Sequence, residues 1–425
     1  MFEGSAEKSQ TIQQIVETDT PPPTNKLKRV FRHRDFRLLW SGAFLSFVGS
    51  FIEVVAQGYV VYQLTKSEYL LGLVTFFGML PVTIIGLFAG SLADMFNKRV
   101  LLVITQSIFA VGSMYLAVAT YFGFVQYWQI VTVAIILGTV SAIDMPTRQS
   151  IVSRVVPPED IQVAIPINAM TFNIARLIGP AIGGLILGWF GPSLCYFVNS
   201  LSFLAIIFAG LAIRADLSSS VMEPQPLRDL IAEGFLYTIR ETRLRTVLIL
   251  EASVSIFALF YIPQIPAIAD KMLGLPKTDL APSYLSVGIG AVCALVATLS
   301  LADKPHKALL LRVAVTVMAV GLFLLSIARN QWVAYPFFAI LGFASVLMFN
   351  TCNVLFQTLA PDRLRGRVLS MHMWALSGIG PFGILGFGYL AEKFGLPFAL
   401  QLGGACVALT AVYAWTYRKG LAGVS

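Results

Sequence analysis

Charge is scarce in this chain. Lys, Arg, Asp and Glu together make up 12% of its 425 residues, about half of what an ordinary soluble domain carries. The four cysteines, Cys195, Cys293, Cys352 and Cys406, stand singly inside apolar runs. The three histidines, His33, His306 and His372, are as dispersed. Neither set has the spacing of a metal site or a disulfide framework, so no metal and no cofactor are expected. No glycine-rich phosphate loop occurs, which argues against ATP hydrolysis by this chain as a power source. No nucleophile–base pair and no clustered His/Asp/Glu set lies within the apolar runs, so a membrane-embedded enzyme would have no site.

What is present is apolar sequence. Hydrophobic residues make up 57% of the chain and the mean hydropathy is +0.77. No water-soluble core needs so much, so the chain reads as a polytopic membrane protein. The net charge of +8 then marks loop orientation and not nucleic-acid binding. Residues 1 to about 25 are polar, end in Pro21-Pro22-Pro23 and have no apolar face to bury, so disorder is expected there. No apolar core follows a basic start closely enough for a signal peptide. Lys26 to Arg37 is a basic juxtamembrane segment suited to an anionic leaflet.

Twelve apolar runs follow, at about 38–62, 70–92, 100–122, 127–147, 163–187, 195–213, 246–268, 282–302, 308–328, 332–356, 368–390 and 397–416. Each is long enough to span a bilayer, and each must be helical because lipid offers backbone groups no partner. Lys66, Lys271, Lys277, Arg329 and Lys393 fall on one side of the membrane and Arg176 inside a span; the remainder of the 30 Lys and Arg fall on the other side. That asymmetry places both termini in the cytoplasm. The expected fold is an all-α membrane protein of twelve transmembrane helices in two pseudo-symmetric six-helix bundles. Its expected divisions are a cytoplasmic N-terminus (1–30), a first bundle (31–213), a linker (214–245), a second bundle (246–417) and a cytoplasmic tail (418–425). Within the linker, Leu227, Leu230, Ile231, Phe235 and Ile239 share one side at helical spacing, flanked by Arg228, Arg240, Arg243 and Arg245. This predicts an interfacial helix.

The halves echo one another. Gly90-Ser91-Leu92-Ala93-Asp94-Met95-Phe96-Asn97-Lys98-Arg99, read as a tight charged turn at the membrane surface, returns as Ser300-Leu301-Ala302-Asp303, with Lys98 answered by Lys307. Gly179-Pro180-Ala181-Ile182-Gly183 is answered by Gly380-Pro381-Phe382-Gly383, and both are followed by Phe-Gly, at Phe190-Gly191 and Phe394-Gly395. A long internal repeat in an apolar chain is common among transporters, whose binding site lies between the halves.

Polar residues inside the spans are candidate site residues. Ser46, Ser50, Glu53 and Gln57 form one stripe on the first span. Glu53 lies about 24 Å along a helix from Arg37, and Arg176 lies about as deep beyond Asp160 on the fifth span. The matched depth predicts a Glu53–Arg176 pair, with proton uptake at Glu53 when the cavity opens outward. Burial raises the pKa of a carboxyl and a nearby arginine lowers it, so motion between the two would switch protonation. In the second half, Asn350, Asn353 and Gln357 share a face, and Tyr261 and Gln264 sit between Pro263 and Pro266. With Ser50, Gln57 and Asn173 they are candidates for the substrate cavity, as neutral groups suited to an uncharged or zwitterionic ligand. Glu251 and His372 are further titratable candidates near the inner ends of their spans.

The twelve-span plan, with Gly-Ser-Leu-Ala-Asp…Lys-Arg and its echo, resembles the major facilitator superfamily. Phe36-Arg37-Leu38-Leu39-Trp40, Asp144-Met145-Pro146-Thr147-Arg148-Gln149 and Phe172-Asn173-Ile174-Ala175-Arg176 are similar to the branch that contains the enterobactin exporter and macrolide efflux pumps. Members of that branch often carry an acid directly after the glycine of the first span; here that position is Ser50 and the acid is Glu53. The resemblance implies a secondary active exporter of a siderophore-like or drug-like small molecule, coupled to protons and working by alternating access as a monomer in the bacterial inner membrane. A lysolipid flippase, an importer or a non-transporting receptor or scaffold are the alternatives. It implies that Gly179, Pro180, Gly183 and Gly184 form an antiporter motif, which physically allows close helix approach. It also implies a conformational latch of Gly90, Asp94, Lys98, Arg99, Arg148, Asp303 and Lys307. In that latch Asp94 would face the residues 367–371 region, and Asp144, itself a proton-coupling candidate, would pair with Lys98 or Arg99.

Overall fold

The computed structural model describes residues 28–218, 227–275, 280–300, 307–361, 364–417 and 421. Among them are twelve helices long and apolar enough to cross a membrane. The first half comprises α1 (Arg34–Thr65), α2 (Glu68–Met95), α3 (Lys98–Tyr121), α4 (Tyr127–Val152), α5 (Ile161–Phe190) and α6 (Pro192–Ala212). The linker helix is α7 (Leu227–Arg240). The second half comprises α8 (Thr242–Phe257), α9 (Ala281–Ser300), α10 (Lys307–Ile327), α11 (Gln331–Leu359), α12 (Arg365–Met373), α13 (Gly380–Phe394) and α14 (Leu396–Thr416). A π-helical turn at Trp374–Gly378 joins α12 and α13 into one span.

Helix ends follow local chemistry. The Ser67 hydroxyl accepts from the Leu70 N–H at the start of α2, and the Asn97 side chain accepts from Arg99 and Val100 at the start of α3. These side chains satisfy backbone donors that have no partner within the helix. The Phe-Gly repeat is the same corner built twice. Gly191 (φ 83°) and Gly395 (φ 91°) end α5 and α13, and Pro192 and Pro397 open the helices that follow. The left-handed backbone at each corner is cheap only for glycine.

Two sequence expectations change here. Gly90 to Met95 is not a turn, because α2 runs on to Met95 and only Phe96 and Asn97 separate it from α3. The span expected at 246–268 is broken: α8 ends at Phe257, a 3₁₀ turn covers Leu259–Tyr261, and a π turn covers Ile268–Met272. Pro263 and Pro266 lack the N–H a continuous helix would need. The N-terminal segment, Asp303 and the Asp94 side chain lie outside the described residues, so the expectations resting on them are not addressed by the structure.

Packing repeats as the sequence echo requires. In both halves the second span packs on the fourth (α2 with α4, α9 with α11) and the third on the sixth (α3 with α6, α10 with α14). The halves meet where α2 crosses α13 and α5 crosses α9, contacts that exchange under a two-fold relation. Small residues make the close crossings possible. A Cβ on Gly342 of α11 would collide with the Val287 carbonyl oxygen of α9. Gly342→Ala is therefore expected to cost about 1–3 kcal/mol, read as a lower midpoint in thermal unfolding of the purified protein. An unchanged midpoint would contradict the close crossing.

The linker helix rests on the second half. Glu233 forms an ion pair with Arg367 at the start of α12, and Gly234 backs directly onto Arg367.

Candidate functional site

The molecule has two unlike ends. The basic end carries the α2–α3, α4–α5 and α6–α7 connections; the far end carries the α1–α2 turn, Asp270 and the α13–α14 corner. Between the halves lies a cavity of ≈200 Å³. α1 lines it with Phe51, Val54 and Val55, and α5 lines it with Asn173, Arg176 and Pro180. The second half contributes Tyr261, Tyr284 of α9, and Ser345, Phe349 and Asn350 of α11. Of the sequence candidates, Asn173, Arg176, Pro180, Tyr261 and Asn350 thus meet in one chamber. The guanidinium of Arg176 lies 5.8 Å from the centre of the Phe349 ring. The Tyr261 hydroxyl is buried beside Ser345 and makes no hydrogen bond of good geometry among the described residues.

The other cavity candidates lie elsewhere. Ser50 returns its hydroxyl to the Ser46 carbonyl at 2.9 Å, and Gln57 is half-buried on α1, outside the cavity lining. Asn353 bonds Gln357 one turn along α11. Gln264 donates to the Glu68 carbonyl at 2.8 Å, tying the second half to the first.

The Glu53–Arg176 pair does not form. Glu53 is 7% exposed and points into the first bundle, where its Oε2 accepts from the Ser113 hydroxyl and the Asn199 amide, both at 2.5 Å. No cation partners it among the described residues. The equal depth of Glu53 and Arg176 fixed height but not direction: the cavity face of α1 is Phe51, Val54 and Val55, about half a turn away. Ser113 and Asn199 were missed by the sequence reading. Their signal was available, since each is a polar residue well inside an apolar span.

Asp144 and Arg148 also correct an expectation. Asp144 pairs not with Lys98 or Arg99 but with Arg148, at 2.6 Å, one turn on. Its other oxygen accepts from Thr105 at 2.8 Å and Gln106 at 2.7 Å. Arg148 also donates to the Ser46 hydroxyl at 3.0 Å and lies 4.7 Å from the Phe47 ring centre. The cluster therefore holds α1, α3 and α4 together inside one half. Lys98 is buried at the head of α3, its backbone N–H bonded to Leu217 at 2.9 Å. Arg99 donates to the Ile213 and Ala215 carbonyls at 2.6 and 3.2 Å. Lys307 opens α10. The glycines of α5 act as packing residues: Gly179 and Gly183 back onto Phe51 and Ile52 of α1, and Gly184 onto Ala281 at the head of α9.

The second half holds a buried pair of its own. His372 Nδ1 and Glu251 Oε1 lie 2.7 Å apart, with both side chains almost wholly buried. At the basic end, Asp160 receives Arg29 at 2.5 Å and His33 at 2.8 Å. Burial works against ionisation of Asp160, but these two donors outweigh it and hold the carboxyl below its ordinary value.

At the far end the halves are clasped. Asp270 receives the Tyr62 hydroxyl at 2.8 Å and Lys66 at 3.0 Å. Glu68 pairs with Lys271 at 2.7 Å, and Glu392 accepts the Tyr69 N–H at 3.0 Å and the Ser67 hydroxyl. The Lys66 hydrogen bond is the main cause that holds the Asp270 carboxyl below its ordinary value of 3.8. A depressed folded-state value means the stabilisation is present above the ordinary value and is lost as pH falls through the depressed one. Spin labels placed one per half at the far end are expected to stay close from pH 8 to pH 5 and to separate only below about pH 4. Asp270→Asn should widen the spacing at neutral pH. Because Asp270 is about half exposed, its share is at most about 1 kcal/mol.

Twelve spans in two similar bundles around a shared chamber define a multi-pass membrane transporter of the major facilitator type. The sequence profile described as "Transmembrane secretion effector" matches residues 29–423, and the chain belongs to that family. It is 27% identical to the staphyloferrin A transporter of Staphylococcus aureus, over 90% of this chain and 96% of that protein. It is 23% identical to the multidrug efflux pump Tap of Mycolicibacterium fortuitum, over 85% and 89%. It is 20% identical to macrolide efflux protein A of Streptococcus pyogenes, over 89% and 94%. In fold it matches the nucleoside transporter NupG with TM-score 0.72 at 12% identity, covering 91% of this chain and 99% of that one. A bacterial homolog of the human lysosomal transporter Spinster, inward-facing and occupied, matches with TM-score 0.70 at 14% identity, covering 91% and 96%. The protein is a secondary transporter of small molecules and not an enzyme.

Proposed function

We propose that the protein is a proton-coupled exporter of a siderophore-like or drug-like small molecule, working by alternating access in the bacterial inner membrane with both termini cytoplasmic. The observation that carries the coupling is Glu53, a buried carboxylate held by a hydroxyl and an amide with no cation beside it among the described residues. A carboxylate in that setting is costly unless its surroundings change or a proton joins it. Asp144 is a weaker candidate for the proton because Arg148 already balances it. The Lys and Arg distribution supports the orientation, which makes the clasped far end external and the chamber a loading site reached from the cytoplasm. The efflux and siderophore-transport names of its relatives support the direction and the cargo.

The test uses inside-out vesicles with an acidic lumen, and staphyloferrin A and the macrolide erythromycin as probes. Uptake of at least one probe should follow the gradient and collapse with a protonophore. Equal uptake without a gradient, or none of either probe, overturns the reading.

A further inference from the structure

Arg176 is the only charged residue lining the chamber among the described residues. It makes no hydrogen bond or ion pair among them; its contact is the Phe349 ring. A cation at this depth of a membrane protein normally finds an opposite charge. Two of the groups around it can donate to a bound acceptor. Tyr261, on the opposite half, keeps a buried hydroxyl with no hydrogen bond of good geometry among the described residues, and it lines the same chamber as Arg176 and the Asn350 amide. A guanidinium fork with a phenol and an amide matches the geometry of an oxyanion.

We propose that Arg176, Tyr261 and Asn350 form an oxyanion subsite, so that the cargo carries at least one acidic group. This narrows the uncharged or zwitterionic ligand expected from the neutral polar residues to one with an acidic group, and it rests on the same chamber being the cargo site. The site joins the halves, with Arg176 on α5 of the first and the other two in the second. An anion seated there would bridge them, and its departure would leave the guanidinium facing only the Phe349 ring. Two sources share this chemistry: a soluble polyacid and the headgroup of an anionic lipid.

The experiment reads binding without transport, so it fails independently of proton coupling. The full chain, purified in mild detergent, is unfolded thermally with citrate, with its uncharged triethyl ester, and with lysophosphatidylglycerol. Citrate is expected to raise the midpoint and the ester to leave it unchanged. In Arg176→Gln the apparent affinity for citrate should fall on the order of 10- to 100-fold, as for loss of a hydrogen bond to a charged group. Arg176→Lys, which keeps the charge but not the fork, should fall between, and Tyr261→Phe should weaken citrate by a smaller factor with the fold intact. A response to the lysolipid alone, lost in Arg176→Gln, supports the subsite and assigns it to a headgroup. Stabilisation by the ester equal to that by citrate, responses that ignore Arg176, or no response to either anion overturn the proposal.

Discussion

Glu53→Gln is expected to abolish gradient-driven export while the protein still folds and inserts. Glutamine keeps the shape of the side chain, and its carbonyl oxygen still accepts from Ser113 and Asn199, which both aim at one oxygen of Glu53. What is removed is the ability to take up and release a proton. The packing around the site is untouched, so the thermal midpoint should hold or rise, because a buried charge has been deleted with its neutral partners kept. Downhill exchange of probe across the membrane should persist, since alternation itself needs no charge at this position. The decisive comparison is uphill accumulation in proteoliposomes: wild type concentrates probe under a pH gradient and Glu53→Gln only equilibrates it. Undiminished accumulation by the variant would remove Glu53 from the coupling reaction.

The second large effect is on stability. Asp144 and Arg148 have side chains only 6% exposed each, and Asp144 also gathers Thr105 and Gln106. Asp144→Ala strands the Arg148 charge in the bundle and should lower stability by about 3–5 kcal/mol. The double variant Asp144→Ala/Arg148→Met should regain most of that loss, because no uncompensated charge is left and methionine fills the space. Thermal unfolding of the three proteins in one detergent measures this. A double variant as unstable as the single one would mean that the cluster acts through packing and not through charge.

Much of the architecture was legible because lipid leaves the chain few choices. A run with no water to bond must be helical, so apolar length located the spans, although the prolines at Pro263 and Pro266 broke the one expected at 246–268. The helix Gln331–Leu359 differs from its expected bounds by only a few residues. The echo of Phe190-Gly191 in Phe394-Gly395 revealed the two-fold plan because a glycine corner has few substitutes. Direction was harder to read. The stripe of Ser46, Ser50, Glu53 and Gln57 is real, but periodicity does not say whether a polar stripe faces a chamber or the bundle's own interior. Gly49 carried the missing hint: it lies hard against Asn199 and Ser202 of α6, which places that side of α1 inside the half. Asp144 illustrates a different limit. Its partner was sought at the adjacent turn in α3, whereas Arg148 stands one turn along the same helix, a spacing at which side chains meet. The far-end clasp draws on Tyr62, Lys66, Glu68, Asp270 and Lys271, residues at the borders of spans, where polar side chains are ordinary and carry no signal of a partner.

The seat of α7 on α12 determines what an observer of the working protein would see. Glu233 and Gly234 fasten that helix to Arg367, so under the proposed alternating access it would travel with the second bundle. A fluorophore on exposed Leu236 would therefore report the swing of that bundle against a reference dye on α1 or α6. The same dye pair placed on α7 and α12 would stay silent through the whole cycle, an internal control for any single-molecule recording.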